Sequence, residues 1–143
     1  SITSNGLSTE RLSDAELQRF RSVEFSLDFP TAREHDAFRG PGNWRTVVKA
    51  LERCAGLGVP VTITAVMMRI NYDKLADLAS VAASFSANLR VNVYQPSKTD
   101  QFSVSYEQFW DGYRRLLEST RLVATTEPVL AAVLGLEGFV GPG

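Results

Sequence analysis

One short stretch of the sequence places a polar side chain at every second position. Residues 23–29 read VEFSLDF, in which Glu24, Ser26 and Asp28 alternate with apolar residues. A strand points successive side chains to opposite faces, so these three polar residues share one face. A hydroxyl and a carboxylate at the end of a strand can bond a sugar diol or an ammonium group. This face is therefore the first candidate binding surface of the chain.

The elements around this stretch alternate between strands and helices. Strand-like runs occur four times, at residues 1–5, 23–28, 59–70 and 89–96. Helical stripes follow capping residues or turns, near Ser13, Asn43, Leu75 and Ser105. Residues 30–43 are rich in Pro, Gly and charge and are predicted to form a loop. Strands that alternate with helices at this spacing predict βαβ units and a parallel sheet.

The predicted strands have one apolar face and one polar face. Besides the acids of residues 23–29, the polar side carries Thr62, Thr64, Asn92 and Tyr94. Parallel strands with helices on both sides would be apolar on both faces, so this pattern needs another explanation. One interpretation is part of a barrel wall, with one helix layer outside and the polar face lining the lumen. The other is an open α+β sheet whose bare face lies in water.

The barrel interpretation predicts where a site would be. In β/α barrels the site lies at the C-terminal ends of the strands. These ends here carry hydrogen-bonding groups at Asn5, Ser26, Asp28, Asn71 and Gln95. A complete barrel takes about 250 residues, so a chain of 143 residues supplies about half of one.

Several motifs in order resemble those of the radical S-adenosylmethionine (SAM) enzymes, in particular the branch with SPASM or twitch extensions. The matching motifs are T-S-N-G at 3–6, S-L-D at 26–28, H-D-x-x-R-G at 35–40, G-N-W-R-T-V-V-K-A-L at 42–51 and G-V-P-V at 58–61. The resemblance implies an α/β fold, a partial parallel (β/α) barrel of the radical SAM type. Residues 1–118 would supply strands three to six of that barrel, and residues 119–143 a C-terminal tail or the start of an extension.

The resemblance also implies an activity for a longer parent protein. Such a parent would use a [4Fe–4S] cluster to cleave SAM and generate a 5′-deoxyadenosyl radical, which abstracts hydrogen from a peptide or small-molecule substrate. The family's C-x-x-x-C-x-x-C motif is absent from this sequence, whose single cysteine is Cys54. We therefore expect a fragment that is inactive alone, binds neither SAM nor a cluster, and contains no catalytic or metal-ligating residue. The alternatives are a cluster-free α/β binding module and an unrelated open βα domain.

Six residues would contact the cofactor if the resemblance holds: Ser26, Asp28, Asn5, Asn71, Gln95 and Arg39. Ser26 and Asp28 would contact the ribose or methionine part of SAM, Asn71 its ribose or carboxylate, and Gln95 the adenine. Asn5 would face the cofactor or substrate. Arg39 would pair with the carboxylate of SAM, since its planar fork matches that group.

Four of these residues also have a purely structural interpretation. Asp28 could form an Asx turn before Pro30, and Asn5 an Asn-Gly turn. Asn71 could cap the following helix. Arg39 could order its loop through a salt bridge with Asp36 or Glu34.

Composition restricts the partners. The net charge is −1 and 44% of the residues are hydrophobic, so no basic field indicates nucleic acid. No apolar run is long enough to span a membrane. A single cysteine, which reads as a buried small hydrophobe, fits a reducing, cytoplasmic setting. The lone His35 is expected to be structural, and unpaired strand edges predict self-association.

Overall fold

Five parallel strands form one sheet in the computed structural model, which describes residues 2–4, 7–94, 101–119 and 123–125. The strands are β1 (Ile2–Ser4), β2 (Val23–Ser26), β3 (Val61–Met67), β4 (Asn88–Val93) and β5 (Val123–Thr125). The helices are α1 (Leu7–Glu10), α2 (Asp14–Leu17), α3 (Ala32–Arg39), α4 (Asn43–Leu57), α5 (Leu75–Ser84) and α6 (Tyr106–Ser119).

The spatial order of the strands follows the chain, β1-β2-β3-β4-β5, and every neighbouring pair is parallel. Strand–helix–strand crossovers are right-handed, so a sheet that always advances in one direction keeps its helices on one side. A doubly wound sheet would instead reverse its order at a switch point. The arrangement is that of a barrel wall and confirms the predicted parallel sheet.

The hydrophobic core lies between one face of the sheet and the helices. The sheet contributes alternate residues that are almost fully buried, including Val23, Phe25, Ile63, Leu89 and Val91. The helices contribute their apolar stripes, including Val47, Leu51, Leu75, Leu78, Phe109 and Leu116. Burial of each large aliphatic side chain contributes about 1.5–3 kcal/mol, so this layer supplies most of the stabilisation.

The opposite face of the sheet is polar, as predicted. Ser26 on β2 lies beside Thr64 on β3, and Thr64 lies beside Arg90 on β4. All three side chains are half-buried, like Asn92 two residues further along β4. Along β2 and β4, buried apolar residues alternate with these polar ones. The barrel interpretation therefore accounts for the pattern with one helix layer and one lumen face.

The predicted loop at residues 30–43 was wrong, because α3 occupies its centre. Thr31 is the N-cap of this helix and accepts a hydrogen bond from the backbone N–H of Glu34. A Thr followed three residues later by Glu is a helix-start signal that the Pro, Gly and charge content of the segment obscured. Asn43 was also predicted to cap α4, but Gly42, with φ of 82°, is the N-cap and makes no side-chain cap.

Other bounds differ by a few residues. The strand predicted at residues 59–70 is shorter, since the chain turns after Met67. The capping boxes that begin with Ser13 and Ser105 are both present. β5 was not predicted and lies beyond residue 118, so the proposed domain boundary at that residue stays a prediction.

Helix α6 approaches the chain before α5 closely at one glycine. A Cβ atom placed on Gly112 would lie 2.7 Å from the carbonyl oxygen of Tyr72 and 3.2 Å from the Cε of Met67. The first contact is with backbone, which cannot move aside as a flexible side chain could. The absence of a side chain at this position therefore sets the distance between α6 and the end of β3.

We predict that Gly112→Ala destabilises the protein by about 1–3 kcal/mol, because the added methyl group overpacks this contact. The matched control is Gly56→Ala in α4, where an added Cβ meets nothing within 4 Å. This control should stabilise the protein by about 0.5–1 kcal/mol through helix propensity. Urea unfolding followed by circular dichroism measures both. Equal effects of the two substitutions would contradict the proposed close approach.

Candidate functional site

Asp28 lies two residues beyond the end of β2 and is completely buried. Its Oδ2 accepts hydrogen bonds from Arg39, at 2.8 Å from Nε and 2.6 Å from Nη2. Its Oδ1 accepts the backbone N–H of Val66 at 3.0 Å, which extends the contact between β2 and β3 past the last residue of β2. A buried carboxylate must be paired and hydrogen-bonded, and this one is. A ligand could not reach it without displacing one of these partners.

Asn71 joins the ends of the same two strands. Its Oδ1 accepts the backbone N–H of Met68 at 2.7 Å. Its Nδ2 donates to the carbonyl oxygens of Asp28 at 2.8 Å and of Val66 at 2.9 Å. The residue is completely buried, and Lys74, not Asn71, is the N-cap of α5. The helix-cap interpretation was therefore wrong, and the amide instead closes the C-terminal ends of β2 and β3.

His35 completes this network from α3. Its Nδ1 accepts the backbone N–H of Asp28 at 3.3 Å, so the proton is on Nε2, which donates to Asn43 Oδ1 at 2.6 Å. Burial lowers the pKa of His35, because the charged form would lose its hydration. This neutral, fully buried ring supports the structural role expected for it.

The motif H-D-x-x-R-G thus has a physical explanation at each polar position. His35 and Arg39 both bind Asp28, at its backbone N–H and its carboxylate respectively. Asp36 accepts the backbone N–H groups of Gly42 and Trp44 at 3.2 and 2.8 Å, which satisfies the start of α4. Gly40 follows α3 with φ of 120°, a value that L side chains rarely adopt. Through these contacts α3 is held against the end of β2, and the start of α4 is held against α3.

Arg39 has N–H donors that remain available to a ligand. The predicted salt bridge to Asp36 or Glu34 was wrong, since Arg39 pairs with Asp28 and Glu34 pairs with Lys74. Its side chain is 40% exposed, and its other N–H groups make no hydrogen bond to the described residues. The guanidinium is held in place by Asp28 and still presents donors to solvent at the C-terminal edge of the sheet.

The hydroxyls of Ser26 and Thr64 lie side by side on the polar face. The two residues are partners in the register of β2 and β3 and are half-buried. Neither hydroxyl forms a hydrogen bond within the described residues. Thr64 was not among the predicted cofactor residues, although the strand register alone would have paired it with Ser26. Together they offer two adjacent donors and acceptors on the face that would line a lumen.

An ion pair lies on the same face, between Arg90, which is level with Ser26 and Thr64, and Glu24, which is nearer the N-terminal ends of the strands. Arg90 on β4 reaches across β3 to the carboxylate of Glu24 on β2. The side chain of Glu24 is only 15% exposed and that of Arg90 is 41% exposed. The pair therefore borders the two hydroxyls, with Arg90 beside Thr64 and Glu24 two residues before Ser26 on β2.

An aromatic cluster that the sequence did not indicate lies at the C-terminal edge. Phe38 contacts Phe29 and Phe102, each at a ring-centroid distance of 5.8 Å, and Tyr94 contacts Phe102 at 5.9 Å. The Cζ of Arg39 lies 5.6 Å from the ring centre of Phe38, within cation–π range. These rings come from four separate segments of the chain, so no local periodicity could have revealed them.

Two predicted residues, Asn5 and Gln95, lie outside the described residues.

Cys54 is 1% exposed in the core, and burial raises the pKa of its thiol. No group of three His, Cys, Asp or Glu side chains that could hold a metal ion occurs in the described part of the chain. The described residues therefore supply no ligand set for a [4Fe–4S] cluster. Ser26, Thr64 and Arg39, in contrast, offer the polar groups that a nucleoside or amino-acid ligand needs.

Comparison with known sequences finds proteins that are similar to this chain. No protein-family model matches the chain. The mycofactocin maturase MftC of Mycolicibacterium smegmatis is 33% identical over 129 residues, covering 85% of this chain and 31% of the relative. MftC of Mycobacterium tuberculosis strain H37Rv is 38% identical over 76 residues, covering 52% and 19%. The chain thus spans less than a third of the length of these relatives.

Solved structures identify the fold. A structure of anSMEcpe with bound AdoMet superposes with a TM-score of 0.61 at 14% identity, covering 81% of this chain and 33% of that one. SuiB of Streptococcus suis, bound to S-adenosylmethionine, gives 0.62 at 14% identity, covering 87% and 32%. The fold is that of a partial radical SAM barrel. This confirms the expected fold class, and the sequence matches support the radical SAM family.

The described part of the barrel contains no helix long and apolar enough to cross a bilayer.

We predict that Asn71→Asp lowers the free energy of unfolding by about 2–4 kcal/mol, because a carboxylate cannot donate to the two buried carbonyl groups. The matched control is Asn88→Asp at the exposed start of β4, which should change stability by less than about 0.5 kcal/mol. Urea unfolding at pH 7 measures both variants. A cost for Asn71→Asp no larger than that of Asn88→Asp would refute the role of the amide.

We predict that His35 makes stability depend on pH. Its ordinary pKa is 6.5, and its folded pKa is lower. The stability that the neutral ring contributes is complete above the unfolded pKa and is lost as the pH falls through the lower folded pKa. The unfolding free energy of the wild type should fall between pH 7.5 and about 5.5. His35→Gln, which cannot titrate and leaves no other histidine, should remove this slope; an unchanged slope would disprove the assignment.

Proposed function

We propose that this chain forms the part of a radical SAM enzyme that contacts SAM, and that a longer parent protein carries the cluster. The single observation that carries the proposal is the open pair of hydroxyls, Ser26 and Thr64, on the lumen face of a radical SAM barrel fold. In the parent, SAM on a [4Fe–4S] cluster would supply the 5′-deoxyadenosyl radical that abstracts hydrogen from a substrate. The chain by itself is then expected to be inactive.

The six predicted residues divide into two roles under this proposal. Ser26 contacts the ribose diol of SAM, with Thr64 beside it, because their hydroxyls have no other hydrogen-bond partner among the described residues. Arg39 contacts the carboxylate, since it retains exposed donors. Asp28 and Asn71 act as positioning residues, because their polar atoms already bind the ends of β2 and β3. The roles of Asn5 and Gln95 beside the cofactor stay predictions.

Further features of the parent follow the same reasoning. The name maturase, borne by the relatives, supports a substrate that is a precursor molecule, and we propose a peptide. The order of the matched motifs supports the SPASM or twitch branch. A single buried cysteine suits the reducing cytoplasm. Self-association through β1 and β5, the two outer strands of the described sheet, also stays a prediction.

A cluster-free binding module is the second candidate function. It is favoured by one observation, the lack of a metal-ligand set among the described residues. A module of this kind would bind a small molecule on the polar face without cleaving it.

We predict that SAM binds the lumen face in the whole parent protein, since this chain alone is expected to bind neither SAM nor a cluster. Amide signals of Ser26, Thr64 and Arg39 should shift in heteronuclear NMR spectra during a titration with SAM. Ser26→Ala should weaken SAM binding about two- to tenfold, the loss expected for one hydrogen bond. Ser80→Ala, on the exposed surface of α5, is the matched control and should leave the affinity unchanged. Shifts confined to the helix layer would refute the location.

Activity separates the two candidate functions. The protein expressed from its whole reading frame, purified without oxygen and reduced with dithionite, should release 5′-deoxyadenosine from SAM. Formation of this product, detected by mass spectrometry, supports the radical SAM enzyme. Binding of SAM without an iron–sulfur absorbance and without the product supports the binding module.

A further inference from the structure

Arg39 is bound to the buried carboxylate by one side of its guanidinium only. Both Nε and Nη2 donate to a single oxygen of Asp28, Oδ2, at 2.8 and 2.6 Å. Nη1 and the second hydrogen of Nη2 form the outer end of the group, where two parallel N–H bonds can reach both oxygens of a ligand carboxylate. Two bonds to one oxygen also leave a pivot, because the guanidinium can swing about Oδ2 with little change in either bond length. A further contact is needed to fix its orientation.

The ring of Phe38 supplies such a contact. The Cζ of Arg39 lies 5.6 Å from the ring centre of Phe38. A cation is attracted to the face of an aromatic ring within about 6 Å of its centre, so the ring opposes rotation of the guanidinium about Oδ2 of Asp28. Phe38 is itself 36% exposed and lies in the last turn of α3. A ring this exposed can hold the arginine only if other groups hold the ring.

Two rings from other segments of the chain hold Phe38. Phe29, which is 5% exposed, lies against it at an interplanar angle of 59°, and Phe102 meets it edge-on at 87°. Tilted and edge-on arrangements are the ones that aromatic pairs prefer. Phe102 is fixed in turn by its carbonyl oxygen, which accepts the backbone N–H of Arg69 at 2.9 Å, and by an edge-on contact with Tyr94. The orientation of Phe38 therefore depends on the segment after β2 and on the segment before α6.

We propose that Phe38 and Phe102 are positioning residues for Arg39, whose guanidinium they hold in one orientation at the C-terminal edge of the sheet. The inference rests on the proposed contact between Arg39 and the carboxylate of SAM. It adds that the affinity for SAM depends on two rings that act through Arg39, one of them in the segment before α6. The motif H-D-x-x-R-G did not indicate either ring, since Phe38 occupies an unspecified position of the motif and Phe102 lies outside it.

A double-mutant cycle in the whole parent protein tests whether Phe38 acts through Arg39. Phe38→Leu should raise the KM for SAM, measured by release of 5′-deoxyadenosine, about two- to fivefold with kcat unchanged, the loss expected for one exposed cation–π contact. Arg39→Lys keeps a positive charge beside Asp28 but has no outer fork, so it should raise the KM by itself. Phe38→Leu should then add nothing in the Arg39→Lys background. Equal effects of Phe38→Leu in the two backgrounds would overturn the proposal.

Three further variants distinguish positioning from a general loss of stability. Phe102→Leu removes a ring that supports Phe38 and should raise the KM for SAM, whereas Phe102→Tyr keeps an aromatic ring and should retain the wild-type value. Phe85→Leu, at a half-buried ring that follows α5, is the matched control and should leave the KM unchanged. If Phe85→Leu raised the KM as much as Phe102→Leu does, the effect would be one of stability and the proposal would be wrong.

Side-chain NMR spectra recorded without SAM give a result that does not depend on the proposed function. The Nε–H group of Arg39 should have a high heteronuclear NOE in the wild type, because Asp28 and Phe38 restrict its motion on the ps–ns timescale. Phe38→Leu and Phe102→Leu should lower this value, and Phe102→Tyr should not. An unchanged value in both Leu variants would contradict the positioning role. A lower value with an unchanged KM for SAM would support that role and show that Arg39 does not bind SAM.

Discussion

The buried carboxylate of Asp28 is the interaction on which the candidate site depends. An ionised group without water is stable only when opposite charge and hydrogen bonds surround it. Arg39 supplies the charge, and Val66 and His35 bind the carboxylate and the backbone N–H of the same residue. These partners come from α3 and β3, and Asp28 itself lies in the segment after β2. The requirement to satisfy one carboxylate therefore fixes how three elements meet at the C-terminal edge of the sheet.

The same requirement separates the residues that position the site from the residues that can contact a ligand. Asp28 and Asn71 have no exposed surface, so their function is to hold the ends of β2 and β3 together. The groups that remain open are the hydroxyls of Ser26 and Thr64 and the outer face of the Arg39 guanidinium. A site of this kind keeps its shape without a ligand, because the residues that determine the shape are satisfied by one another.

The sequence predicted the fold, but it did not predict which side chains pair with one another at the candidate site. The alternation of polar and apolar residues at 23–28 and the helical stripe after Leu75 are local periodic patterns. Such patterns predict structure well, because each apolar residue only has to face the core. The pairing of Arg39 with Asp28 could not be predicted in this way. Asp36 and Glu34 are nearer to Arg39 along the chain, but they are already bound to the start of α4 and to Lys74. Partner choice depends on that competition, and competition is visible only in three dimensions.

The consecutive order of the strands has a consequence for how the chain folds. Each strand pairs with the strand that comes next in the sequence, so most contacts of the sheet close over a single strand–helix unit. Each pairing still closes a loop, of 21 residues between Ile2 and Val23 and of 38 between Val23 and Val61, so loop entropy is lost before each new contact forms, but every pairing needs only chain that has already been made. Units can therefore dock one after another as they leave the ribosome, with each finished strand serving as the template for its successor. Within the described sheet β5 pairs with β4 alone, so the other edge of β5 can accept a further strand.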